Sequence, residues 1–308
     1  MSITDSHILV TGGGGFVGSH LVERLLADGN DVRVVDNLSN GTESWIPGDA
    51  ELVVGDLTDQ AVLDEAVTPD IDLVFHLAAD KDASRDDIAQ FRSNNRLTEV
   101  LLEQMESVGV DRIAFTSSST VYGEAPRPTP EDYAPLEPIS IYGAGKLAEE
   151  ALLSVFGHSH DFTVWNFRFA NVVGSRLRGA VVPDFIEKLR DDPTTLEILG
   201  DGRQEKSYLY IDDCIDAMLT IVEQTERPVN TFNLGTRTTT SVDRIATIVA
   251  DEMGVDPSRE YTGGKRGWTG DVPKMRLSIE KLSALGWEPT VSSDEAIRRT
   301  TRTLLDEL

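Results

Sequence analysis

Apolar runs alternate with amphipathic stretches from the start of the chain, the pattern of βα units around a parallel sheet. His7 to Val10 reads as a first strand. A glycine-dense turn, Thr11 to Gly15, leads into a helix with Val17, Leu21 and Leu25 on one face, which Gly29 stops. Further strands are predicted at Asp31 to Val35, Glu51 to Val54 and Asp72 to Leu77. A long helix from about Asp86 to Ser107 runs through Gly109 into a strand at Arg112 to Ser117. The next segment carries Pro126, Pro128, Pro130, Pro135 and Pro138, which bars it from a helix interior or central strand. A helix near Ile141 to Phe156 and a strand at Thr163 to Phe169 follow. Six strands at this spacing predict an α/β fold: a doubly wound parallel sheet of the Rossmann, dinucleotide-binding type.

After Gly174 the regularity loosens. A helix at Val182 to Leu189, a strand at Tyr208 to Ile211, a helix at Asp212 to Val222 and a terminal helix from Asp294 are expected. We therefore expect a sheet domain over residues 1–174, with 207–236 returning to it. Residues 175–206 and 237–308 then form a smaller α/β C-terminal substrate domain packed over the sheet's C-terminal edge.

Composition narrows the partners. At 308 residues the chain can bury a substantial core. The single cysteine, Cys214, excludes an intramolecular disulfide framework and a Cys-based zinc site, and suits a reducing compartment. No apolar run approaches a membrane span, and the first residues lack the basic start of a signal peptide, so a cytoplasmic protein is expected. Formal net charge is −25, with no Lys/Arg cluster, which argues against nucleic acid and anionic membranes as partners. The acids run from Asp5 to Glu307 in a chain that is 40% hydrophobic, so they form a surface and not a disordered tail. Such a surface fits concentrated intracellular salt, as in a halophile. At ~1 M ionic strength the Debye length is only about 3 Å, and self-repulsion is largely screened.

Thr11-Gly12-Gly13-Gly14-Gly15-Phe16-Val17-Gly18 sets Gly12, Gly15 and Gly18 between a strand and a helix. The early glycines permit a tight turn and close approach of a pyrophosphate, and Gly18 lets the helix pack on the sheet. The helix start offers free N–H groups and a partial positive charge. Asp36, ending the second strand, is placed to accept hydrogen bonds from the adenosine ribose hydroxyls. A carboxylate there repels a 2′-phosphate, and no Arg or Lys lies between Asp36 and Trp45, so NAD is favoured over NADP. Asp56, after the third strand, is positioned for the adenine amine.

Tyr142 and Lys146 stand four apart, on one face of a predicted helix. A phenol with its ordinary pKa of about 10 is a poor base near neutrality, and a neighbouring ammonium lowers that value. The fifth strand ends in Thr116-Ser117-Ser118-Ser119-Thr120-Val121-Tyr122-Gly123, whose hydroxyls face the crevice where such sheets bind ligands. His7, His20, His76, His158 and His160 show no metal-ligand spacing, and no metal is expected. His76 is expected to pack at a strand end and Trp165 and Trp287 to belong to core or packing surfaces, while Trp268, beside Arg266, is a minor candidate for touching substrate.

Taken together, these motifs resemble the extended short-chain dehydrogenase/reductases, the NAD-dependent epimerase/dehydratase group of nucleotide-sugar enzymes. The likeness is carried by Thr11 to Gly18, Asp36-Asn37-Leu38, Gly55-Asp56-Leu57, His76-Leu77-Ala78-Ala79, Asn95, Ser118 to Gly123 and Tyr142 to Lys146. It continues through Arg168-Phe169-Ala170-Asn171, Gly200-Asp201-Gly202, Tyr208 to Asp213 and Gly270-Asp271-Val272. Within that group the chain looks most like the UDP-glucose 4-epimerases.

The resemblance implies NAD as cofactor and a UDP-sugar, or another nucleotide sugar, as substrate. It implies Ser118 as catalytic hydroxyl, Tyr142 as base and Lys146 on the nicotinamide ribose. Cofactor contacts would include Phe16, Val17, Asn37, Leu38, Asn40, Leu57, Leu77, Ala78, Ala79, Lys81, Asn95 and Ala170. Substrate contacts would include Lys81, Ser118, Ser119, Tyr142, Asn171, Lys206 and Arg266, with Lys206 where the family often has Arg. C4 epimerisation through a transient 4-keto sugar is the implied reaction. Ser119 and Thr120 stand where dehydratases keep an acid-base pair and where decarboxylases tend to place Glu, which demotes both. A nucleotide-sugar dehydrogenase or reductase, or behind it a dehydratase of the same family, is the alternative enzyme, and a non-catalytic NAD-binding regulator the alternative of another class. A homodimer is a further expectation from the resemblance.

Overall fold

The apolar run at the start of the chain forms strand β1 (His7–Thr11), and the glycine turn delivers it into helix α1 (Phe16–Ala27). A computed structural model describes residues 3–81 and 87–308. Five more sheet strands follow: β2 (Asp31–Asp36), β3 (Glu51–Val54), β4 (Leu73–His76), β5 (Arg112–Ser118) and β6 (Thr163–Phe169). Helices α2 (Gln60–Ala66), α3 (Ile88–Val108) and α4 (Ile141–Ser159) connect them. Every residue of β4 is buried, the mark of a strand covered on both faces.

Among the described residues the sheet has seven strands, not the six expected. Its order is Val229–Leu234, β6, β5, β4, β1, β2, β3, and the pairings of β3, β2, β1, β4 and β5 are parallel. This is the doubly wound order, with the direction of winding reversing between β1 and β4. The seventh strand escaped the sequence reading because Asn230 and Asn233 interrupt its apolar pattern. Both are buried, and the Asn230 amide donates to the Val164 carbonyl at 3.1 Å, which makes a polar residue tolerable inside a sheet. Helix α2 was also not foreseen.

Element ends shift by a few residues. Helix α3 opens at Ile88 because the Asp87 carboxylate caps it, accepting the Ala89 N–H at 2.8 Å, and it closes on Gly109 at φ 82°. Asp86, the expected start, lies outside the described residues. One core packs Leu9, Val35, Val74, Phe115 and Val164 of the sheet against Leu63, Leu101, Leu102, Met105 and Leu153 of α2, α3 and α4. Each such buried side chain contributes about 1.5–3 kcal/mol relative to exposure.

The chain divides into two compact units, residues 1–118, 141–168 and 215–232, and residues 119–140, 169–214 and 233–308. The first holds the sheet and α1 to α4. In the second, helices Val181–Asp191, Val242–Met253 and Ser293–Glu307 pack on one another. Small sheets complete it, among them Tyr208–Tyr210 beside Asn171–Val173, and Thr240–Ser241, Glu205–Lys206 and Lys274–Met275 side by side. The strand Tyr208–Tyr210 answers the one expected at Tyr208 to Ile211, whereas the Val242–Met253 helix and the other short strands are not among the elements expected from the sequence.

Candidate active site

The glycine turn is closed tightly. Gly12 has φ 72°, and a Cβ there would stand 2.8 Å from the Ala78 nitrogen, while a Cβ on Gly18 would stand 2.2 Å from the Gly12 carbonyl oxygen. Only hydrogen fits at either place. Gly15 caps α1 with no side chain, and the first turn of α1 contains no acid, so its leading N–H groups are left for an anion.

Asp36 ends β2 and is buried. Its Oδ2 accepts the Gly14 N–H at 2.9 Å and its Oδ1 the Leu38 N–H at 2.8 Å, tying the strand end to the turn. Leu38 takes φ 57°, a left-handed conformation that costs a side-chain-bearing residue about 1–2 kcal/mol, and the Asp36 hydrogen bond helps to hold it. Asn37 Oδ1 accepts the Ser39 N–H at 3.0 Å, and Asn40 is exposed beside them. Asp56 is exposed as well and closes its own turn on the Thr58 N–H and hydroxyl at 2.8 Å, while Leu57 is buried. Phe16 and Val17 open α1, and the Phe16 ring meets His20 edge-on.

Thr11 and His76 face each other across the strand pair where the sheet order reverses. The Thr11 hydroxyl lies 2.7 Å from His76 Nδ1 and accepts the Leu77 and Ala78 N–H groups at 3.2 Å. His76 is buried as the sequence predicts; burial first, then the charge of Lys146, pushes its pKa down to about 3. Ala79 follows, half-buried, and Lys81 is exposed at the end of this described stretch. On α3, the Asn95 amide donates to the Phe91 carbonyl at 2.7 Å.

Ser118 is the last residue of β5, while Tyr142 and Lys146 occupy the first two turns of α4. The Lys146 side chain is 2% exposed; its Nζ lies 4.4 Å from the centre of the Phe115 ring, 6.0 Å from that of Tyr142 and 3.4 Å from Glu149 Oε2. Here the expectation for Tyr142 is corrected. Its pKa lies above the ordinary phenol value, because burial and the nearby charges of Glu149 and Asp80 all oppose the phenolate. Residue spacing shows the Lys146 ammonium beside Tyr142 but not its counter-ion, Glu149.

Glu149 and Glu150 are the residues that sequence reasoning missed. Glu150 forms a fork on Arg168, whose Nη2 donates to Oε2 at 2.6 Å and Nε to Oε1 at 3.0 Å, and it also accepts the Ser117 hydroxyl. Two adjacent carboxylates on a helix read as surface; the available signal was their spacing of three and four from Lys146, which turns them inward with it.

In the second unit, Lys206 Nζ lies 2.5 Å from the buried Asp271 carboxylate and 4.8 Å from the centre of the Trp268 ring. Arg266 donates to Glu124 and to the Asp271 carbonyl. Both cations singled out from the sequence thus carry carboxylate partners. Asn171 opens the strand that pairs with Tyr208–Tyr210, Ala170 before it is buried, and Ser119 and Thr120 begin a short 3₁₀ turn. Trp165 and Trp287 are core residues.

Residues 8–235 match the model of the NAD dependent epimerase/dehydratase family. The chain belongs to that family. It is 34% identical over 310 residues to the UDP-glucose 4-epimerase of Mycolicibacterium smegmatis, covering 95% of this chain and 96% of that one. A crystal structure of UDP-galactose 4-epimerase superposes with a TM-score of 0.89 at 40% identity, over 98% of this chain and 99% of its own. The Thermus thermophilus UDP-glucose 4-epimerase, solved in complex with NAD, gives 0.87 at 32% identity, over 98% and 100%.

The cofactor of this family member is NAD, and the residues fit it. The cradle that a Cβ on Gly12 or Gly18 would fill, the uncapped start of α1 and the Asp36 carboxylate are the donor and acceptor set that a dinucleotide needs. Among the described residues no helix is long and apolar enough to cross a membrane.

Proposed function

We propose that this enzyme is a nucleotide-sugar 4-epimerase acting on a UDP-hexose of the glucose/galactose type. The observation that carries the reading is the alignment of Tyr142 and Lys146 on successive turns of α4, together with Ser118 at the end of β5 and no acid or base following it at Ser119 or Thr120. Tyr142 removes the proton from the sugar 4-hydroxyl, and the Ser118 hydroxyl shares that hydrogen bond. Lys146 holds the nicotinamide ribose. NAD, when bound, supplies the acceptor and then the donor of the hydride at C4. Tyr142 returns the proton after the keto sugar has turned its other face. A dehydratase would need a further acid and base to expel water, and the two hydroxyls at 119 and 120 supply neither.

In the second unit, Asn171, Lys206 and Arg266 are assigned to the sugar diphosphate. Lys206 offers it a point charge shared with Asp271, and Arg266 a planar fork shared with Glu124. The test is incubation of the purified protein with a panel of UDP- and dTDP-hexoses, with C4 epimers followed by NMR. Interconversion without net NADH supports the reading; net NADH with no epimer would replace it by a dehydrogenase.

A further inference from the structure

A buried chain of hydrogen bonds runs from the glycine turn to Glu149, the ion-pair partner of Lys146, and its polarity is determined by chemistry. Thr11 Oγ1 receives the Leu77 and Ala78 N–H groups and lies 2.7 Å from His76 Nδ1. His76 Nε2 lies 3.1 Å from the Thr98 hydroxyl, which donates to Glu149 Oε1 at 2.6 Å. Thr98 has one proton and gives it to the carboxylate, so it must accept from Nε2–H. The neutral imidazole then has Nδ1 free to accept the Thr11 proton. Every donor in the series therefore points toward Glu149, and the series ends on its charge.

The other carboxylate oxygen, Oε2, has no hydrogen-bond partner among the described residues and lies 3.4 Å from Lys146 Nζ. Both side chains are almost wholly buried, at 2% and 1% exposed. A buried ammonium and a buried carboxylate each carry a large desolvation cost, which their attraction offsets together with the Thr98 hydrogen bond and the Phe115 ring. The ammonium is thus held between the Phe115 ring and Glu149, and neither contact uses an N–H in a formed hydrogen bond.

We propose that Glu149 is a positioning residue for Lys146: it sets the place and charge of the ammonium, and through Thr98 and His76 it locks that ammonium to the glycine turn. The two structures that grip the dinucleotide are then one rigid assembly. This inference rests on the assignment of Lys146 to the cofactor made above, and on none of the sugar chemistry.

The test is a double-mutant cycle read by cofactor affinity, with the full-length protein titrated with NADH and its fluorescence followed. Lys146→Met and Glu149→Gln are each expected to weaken NADH binding by about tenfold, the size of a coupling near 1.4 kcal/mol. The double variant should bind no more weakly than Lys146→Met alone. A Glu149→Gln protein with unchanged affinity, or effects that simply add, would overturn the proposal. If Glu149→Gln is not recovered folded, Thr98→Val, which keeps the side-chain shape and removes the donor to Glu149, is read in the same cycle; a smaller loss that vanishes beside Lys146→Met is expected, and an additive loss or none overturns it. Should Lys146→Met itself bind normally, the cofactor assignment falls and takes this inference with it, whereas epimer formation by the unmodified protein is measured separately.

Discussion

Arg168 and Glu150 form a buried two-pronged ion pair, Nη2 to Oε2 at 2.6 Å, with each side chain 7% exposed. Arg168 is in β6 and Glu150 in α4, so the pair pins the helix that carries Tyr142 and Lys146 to the sheet. Its role is to set where the helix sits. Removing one partner strands a buried charge, so Glu150→Ala is expected to cost about 3–5 kcal/mol of stability. Replacing both with apolar residues of similar volume should cost far less. Chemical denaturation of the single and double variants measures this, and equal losses would contradict it.

His76 gives stability a pH dependence of known sign. Its pKa in the folded protein is pushed down to about 3, against about 6.5 when unfolded. Below 6.5 the unfolded chain binds the extra proton and the folded one does not, so stability is complete above that pH and declines as pH falls toward 3. His76→Gln, which carries no such proton, should flatten that part of the stability curve. Denaturant midpoints between pH 7 and 4 for both proteins would show it, and parallel curves would refute it.

Asp36 should decide which dinucleotide is accepted. With its carboxylate beside the turn, a 2′-phosphate meets a like charge, and no Arg or Lys lies between Asp36 and Trp45 to offset it. Asp36→Ser is expected to narrow the preference for NADH over NADPH by about tenfold or more, mostly through tighter NADPH binding. Fluorescence titration with both cofactors is the check. The same change also removes the acceptor for the Leu38 N–H, so a modest loss of stability accompanies it.

Tyr142→Phe removes the proposed base and leaves the ring. Epimerisation should fall by at least about a hundredfold while NADH affinity stays within a factor of a few. Turnover that survives would assign the proton to another group.

A net charge of −25 should make stability depend on salt. At ~1 M ionic strength screening acts over about 3 Å, which quiets repulsion between surface acids and spares the buried pairs at Lys146 and Arg168. The melting temperature is therefore expected to rise from 0.1 M to molar KCl, a trend that a salt-independent melt would contradict.

The order of the first six strands, the glycine turn and the Tyr142–Lys146 pair could all be read from the chain, because each depends on local periodicity or on a spacing within one element. The strand Val229–Leu234 could not: its buried asparagines look like turn residues until the Val164 carbonyl that satisfies one of them is known. The helix Val242–Met253 was legible, with Ile245, Ile248 and Val249 at helical spacing, and was passed over in a region read as irregular.

Glu149, Glu150 and Asp271 mark where local reading ends. The chain determines that a carboxylate stands at each position, and for Glu149 and Glu150 the spacing from Lys146 hints at the inward face, but the cation each one meets is set by packing. Burial is a property of packed elements, and charge matters most where water is excluded. Residue type and spacing supplied the candidate base, cation and nucleotide turn. Only the folding of α4 against the sheet decided that Lys146 is paired with Glu149, that the Tyr142 proton is held more tightly than in water, and that Glu149 is joined through Thr98 and His76 to Thr11 at the glycine turn.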